Sequence, residues 1–149
     1  FIFAFVDSVL QPIVQNLPSY VKDTTGILQR LSNLAPTPDT ILFTMDITSL
    51  YTVIPHAEGL QALSHFLDQR PSQNPPSHAI IRLAELVLTL NAFQFNYSFY
   101  RQKCGVAMGT KMGPSFANLF VGYVEHYSLI PSHTRTLNSM VIILRHLWS

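Results

Sequence analysis

The stretch TMDITSLYT, residues 44–52, decides how the rest of the chain is read. Asp46 ends an apolar run that begins at Ile41, and the ring of Tyr51 follows five residues later. A carboxylate at the end of a buried strand is costly unless it meets a metal, a cation or backbone donors. Asp46 therefore reads in two ways. It caps the turn that follows, or it holds a divalent cation, as carboxylates do where phosphoryl or nucleotidyl groups are transferred. Tyr51 reads equally as a core aromatic or as a ring facing the same cavity.

Outward from this stretch, TILFTMDI is rich in branched and aromatic residues and predicts a strand. Upstream, residues 3–16 predict a helix that Pro12 disturbs or ends. Asp23 or Thr24 can cap a second helix with Ile27, Leu28, Leu31 and Leu34 on one face, broken by APTPD at 35–39. Downstream, residues 56–69 predict a helix with Leu60, Leu63 and Leu67 as its stripe. PSQNPP at 71–76 is a loop, and Ser77 is positioned to cap the next helix, which carries Ile80, Ile81, Leu83, Leu86, Val87 and Leu90. AFQFNYSFYRQ predicts two short strands around Asn96-Tyr97-Ser98. A last helix is expected from about Pro114, since proline suits a first helical turn. A short strand or helix is expected at MVIILRHLW near the end. The order of elements predicts an α+β fold, with helices on a small antiparallel sheet.

The loop GVAMGTKMGPS carries Gly105, Gly109 and Gly113 just before an apolar helix. Glycine lets a backbone approach a ligand closely, and amides at a helix start suit an anion. The loop lacks the Gly-Lys-Ser/Thr ending of a Walker loop and the glycine spacing of a dinucleotide fingerprint. Taken alone it is also an ordinary connection into a helix. The six histidines show no metal-ligand spacing, and nothing in the sequence puts a base beside Cys104.

Bulk properties narrow the class. The 149 residues suit one domain. They are 48% hydrophobic and 11% charged, against roughly 25% charged in an average soluble domain. Some apolar face is therefore expected to be covered, by another domain, another subunit or further parts of the same chain. A net charge of +1 speaks against strong, self-sufficient nucleic-acid binding, and only Arg101, Lys103 and Lys111 form a loose basic cluster. A lone cysteine excludes an internal disulfide and a multi-thiolate zinc site. The apolar opening FIFAFVDSVL has no basic leader and carries Asp7, so it reads as core helix and not as a signal peptide. No run reaches about 18 uncharged apolar residues, so no membrane span is expected. A first residue of Phe hints at a fragment.

Taken together, the blocks carry a resemblance. LFTMDITSLYTVIPHAEGLQAL resembles the A motif of reverse transcriptases, and MGTKMGPSFANLF resembles their B motif. AFVDSVLQPIVQNLPSYVKDTTGIL looks like the fingers segment, and FNYSFYRQKCGVAMGTKMGPS like the approach to motif B, of the reverse transcriptases of Penelope-like retroelements. The four blocks agree in order and spacing over about residues 3–126. The resemblance implies a partial palm and fingers over residues 1–126, followed by a divergent tail at 127–149. It implies that Asp46 is a catalytic Mg²⁺ ligand and that Ile47 offers its backbone carbonyl to the same metal. Tyr51 would gate the sugar against a 2′-hydroxyl. Gly109, Lys111 and Pro114 would form the loop that meets template and incoming nucleotide, with Asn118 structural on the helix behind. The implied partners are an RNA or DNA template-primer and a deoxynucleoside triphosphate, with no membrane. The thumb and the downstream palm would cover the apolar face, and the implied place of action is the nucleus.

The sequence departs from that family in its carboxylates. The C motif, an aromatic, any residue and Asp-Asp, is absent, and no Asp follows Asp68. The basic fingers block is absent as well. Mg²⁺ keeps its waters and relies on several carboxylates or substrate phosphates, so one acid makes a weak site. An RNA-directed DNA polymerase that is inactive by itself is the resulting expectation. A non-catalytic nucleic-acid or protein interaction module on the same fold is the alternative, and an unrelated α+β domain is a third reading.

Overall fold

A computed structural model describes residues 1–33, 41–129 and 140–144. Six helices and four strands follow in the order α1 (Ile2–Gln15), α2 (Thr24–Ser32), β1 (Ile41–Met45), α3 (Leu50–Val53), α4 (His56–Asp68), α5 (Ser77–Thr89), β2 (Ala92–Phe95), β3 (Ser98–Arg101), α6 (Met112–Val124) and β4 (Met140–Leu144). A π-helical turn, Glu125–Leu129, extends α6. The fold class is α+β, as expected. No described helix is long and apolar enough to cross a membrane.

The core is helical. Val6, Leu10 and Val14 recur every fourth residue on α1 and are fully buried. The same spacing buries Leu63 and Leu67 on α4, and Ile80, Ala84 and Leu88 on α5. Positions three and four apart share one face of a helix, so each stripe is a single contact surface. Each such Val, Leu or Ile side chain taken from water contributes about 1.5–3 kcal/mol. The centre is α6, which packs on α1 and α4, while α4 and α1 both meet α5. Phe116 fills the middle, against the Cβ-free face of Gly59, where an added Cβ would lie 2.3 Å from the ring.

Several local expectations hold. Asp23 caps α2 by accepting from the Gly26 amide at 2.9 Å. The β2–β3 hairpin turns at Asn96 and Tyr97, whose positive φ values of 47° and 60° are those that a two-residue primed turn requires. α6 begins at Met112, which leaves Pro114 in its first turn as expected. Others are corrected. α1 runs through Pro12, which faces solvent while Leu10 and Val14 hold the helix to the core. Ser77 is the first residue of α5 and Pro76 stands at its cap position. The Ser77 hydroxyl donates to Gln73 Oε1 at 2.6 Å and does not cap. α2 buries none of its residues, and Leu28 is exposed.

The sheet also differs from expectation. Among the described residues the antiparallel part is the β2–β3 hairpin, and its residues are exposed on both strands. β1 pairs in parallel with β4, Ile41 beside Met140 through Met45 beside Leu144. Parallel strands need a long crossover, supplied here by everything from α3 to α6. Leu34, the APTPD break, Thr40 and the tail on either side of β4 lie outside the described residues.

Candidate functional site

Asp46 follows the last residue of β1 and is exposed, as are Ile47, Thr48 and Ser49. The chain turns sharply there. Ser49 takes a left-handed conformation with φ 57°, which is uncommon for a residue with a side chain. Its carbonyl accepts both the Thr52 amide and the Thr52 hydroxyl at 2.9 Å. This turn delivers Leu50 and Tyr51 into α3, where both pack partly against the core.

The glycine-bearing loop is fastened directly to α3 and to the segment after it. Val106 N donates to Tyr51 O at 2.7 Å, and Gly105 N donates to Ile54 O at 2.7 Å. His56 Nε2 donates to the Gly105 carbonyl at 2.8 Å, which assigns the ring proton to Nε2. Gly105 has φ +75°, and a Cβ there would lie 2.3 Å from Tyr51 O. The contact therefore needs glycine twice over, for its conformation and for its missing side chain. Gly109 has φ +88° and open space around it.

Below this contact lies a cavity of about 350 Å³ lined by Tyr51, Ala107, Met108, Gly109, Thr110, Lys111, Gly113 and Pro114. Four of the residues singled out in the sequence, Tyr51, Gly109, Lys111 and Pro114, thus share one wall system. Lys111 is the one charged group among the described lining residues. A second cavity of about 610 Å³ shares Met108, Gly109, Thr110 and Lys111 and is bounded by Phe1, Phe3 and Ala4. The turn at 108–111 is a partition between the two. Asp46 and Ile47 are not among the described lining residues of either cavity.

The floor of the loop is tied to α1. Ser115, almost wholly buried at the start of α6, donates to Asp7 Oδ1 at 2.5 Å and accepts from Gln11 Nε2 at 3.1 Å. Sequence reading missed Asp7, Gln11 and Ser115, and also missed His56 and Ser49. The partners stand far apart in the chain and carry no motif. The left-handed turn at Ser49 carried no local signal either, since serine is not a residue that favours that conformation.

Among the described residues no three His, Cys, Asp or Glu side chains come together as a metal site. Asp46 is a single donor, so the residues described do not make a Mg²⁺ site of their own. His65 and His126 do approach, with ring centroids 6.0 Å apart, and Tyr127 Oη lies 3.4 Å from His65 Nδ1. Comparison with protein-family models, with curated proteins and with solved structures gave no match.

Proposed function

We propose that this chain is the fingers and part of the palm of a retroelement reverse transcriptase, a relative of the RNA-directed DNA polymerases of Penelope-like elements. In this reading it binds a nucleotide and template-primer but does not itself extend a primer. One observation carries the proposal. Tyr51, from the motif that resembles A, and Gly109, Lys111 and Pro114, from the motif that resembles B, line the same cavity although about 60 residues separate them. Their meeting at one cavity is what supports this reading.

The chemistry of the walls supports a nucleotide. Tyr51 offers a ring face to a sugar or base, and Lys111 offers a cation to phosphate. The loop backbone can approach closely because Gly109 carries no side chain. Asp46 opens the turn that carries Tyr51, but it is exposed and is not among the described lining residues of the cavity. Polymerisation needs further acids, and no Asp follows Asp68.

A primer-extension assay with RNA template, deoxynucleoside triphosphates and Mg²⁺ tests the catalytic half of the proposal. No product is expected. Product that disappears in Asp46→Asn would overturn it. Binding of the same template-primer is expected to weaken several-fold in Lys111→Ala, and equal binding by that variant would count against the cavity as the site.

A further inference from the structure

The Tyr51 carbonyl lacks a helical partner. The amide four residues on would belong to Pro55, which has no N–H. Its donor is instead Val106 N, at 2.7 Å, from a segment remote in the chain. Val106 is buried, and a buried amide left without a partner is costly. This bond therefore seats the glycine-bearing loop on α3.

Val106 N–H and the Gly105 carbonyl belong to one peptide plane. In a trans peptide the two groups point in opposite directions. With the N–H turned to Tyr51 O, the carbonyl is presented to His56, whose Nε2 donates to it at 2.8 Å. Gly105 itself does not fix this plane. With φ +75° and no Cβ, it leaves the peptide that follows free to rotate. Rotation would break the Tyr51 bond and the His56 bond together. The bond from Gly105 N to Ile54 O lies in the preceding peptide and would survive. His56 is half-buried at the first position of α4, and 49 positions separate it from Gly105.

We propose that His56 is a positioning residue. Its Nε2–H locks the Gly105–Val106 peptide in the orientation that holds Tyr51 to the loop, and so sets the spacing of the cavity walls. A second consequence rests on the nucleotide reading of that cavity: His56 tunes triphosphate affinity although it is not among the described lining residues. It acts through one peptide plane and touches no ligand.

Amide hydrogen exchange in two variants of the full chain tests the lock. His56→Phe keeps a ring and loses the donor, whereas His56→Gln offers an N–H at similar reach. In His56→Phe the Val106 amide should exchange roughly three- to tenfold faster, while the Gly105 and α5 amides stay as in the parent. His56→Gln should restore the parental rate. Imidazole nitrogen shifts of the parent at mildly alkaline pH, which need no variant, should show the proton on Nε2. Unchanged Val106 exchange in His56→Phe, equal acceleration in both variants, or a proton on Nδ1 would each overturn the lock. Titration of the same three proteins with a deoxynucleoside triphosphate tests the second consequence. The dissociation constant should rise by a similar factor in His56→Phe and return in His56→Gln. Parental affinity in a His56→Phe variant whose Val106 amide is released would overturn the effect on affinity. A parent that binds no triphosphate fails the nucleotide reading instead, and the exchange rates then decide the lock by themselves.

Discussion

Gly105 concentrates more constraint than any other residue near the site. Its amide and carbonyl are both bonded, its φ is positive, and Tyr51 O stands where a Cβ would go. Gly109, four residues on, shares the positive φ but has open space. The two glycines therefore separate backbone conformation from close approach. Gly105→Ala is expected to cost about 2–4 kcal/mol, from left-handed strain together with a clash against backbone that cannot move aside. Gly109→Ala is expected to cost about 1–2 kcal/mol from conformation alone. Urea denaturation of the two variants measures the difference, and equal losses would mean that the loop is not seated on α3. The sequence made Gly109 legible through its motif. It left Gly105 as one glycine among several, because the need for it lies in Tyr51, which is remote in the chain.

At the scale of elements, the site depends on how α6 is fixed. The buried Ser115 hydroxyl joins α1 to the first turn of α6 through Asp7 and Gln11. Ser115→Ala removes a hydrogen bond to a carboxylate and leaves Asp7 with Gln11 as its partner, at 3.4 Å. It is expected to destabilise the fold by about 1.5–3 kcal/mol. In a double-mutant cycle with Asp7→Asn the losses should fall short of additivity, and strictly additive losses would show that the two side chains do not act as a pair. Elements with a strong period were readable: Leu63, Leu67, Ile80 and the hairpin around Asn96 lie where the pattern put them, whereas Leu88, outside the expected stripe, is buried and Leu90, within it, is exposed at the end of α5. Pro12 misled because the local rule assigns it a break. The packing of Val6, Leu10 and Val14 outweighs one lost hydrogen bond at a solvent-facing position.

For the whole molecule, helices supply most of the core among the described residues, and the β2–β3 hairpin is exposed on both strands. The parallel pairing of β1 with β4 was not legible. Strand partners so distant in sequence are chosen by tertiary contacts, and the local pattern specifies a strand but not its direction. The meeting of Tyr51 with the glycine loop was legible only through the resemblance of both motifs to one family. Composition and periodicity alone left each motif with an ordinary explanation. On the metal side of that resemblance, Asp46 belongs to no group of three His, Cys, Asp or Glu side chains among the described residues.

The central claim is that Tyr51 and the loop from Ala107 to Pro114 form a nucleotide pocket. Amide chemical-shift mapping during titration with a deoxynucleoside triphosphate tests it most directly, because it needs no turnover and reports every part of the chain at once. The expected result is saturable movement of the Tyr51, Gly109 and Lys111 amides, with the α5 amides unmoved. Saturating triphosphate that leaves those three amides in place, or that moves only residues outside the cavity, would contradict the account.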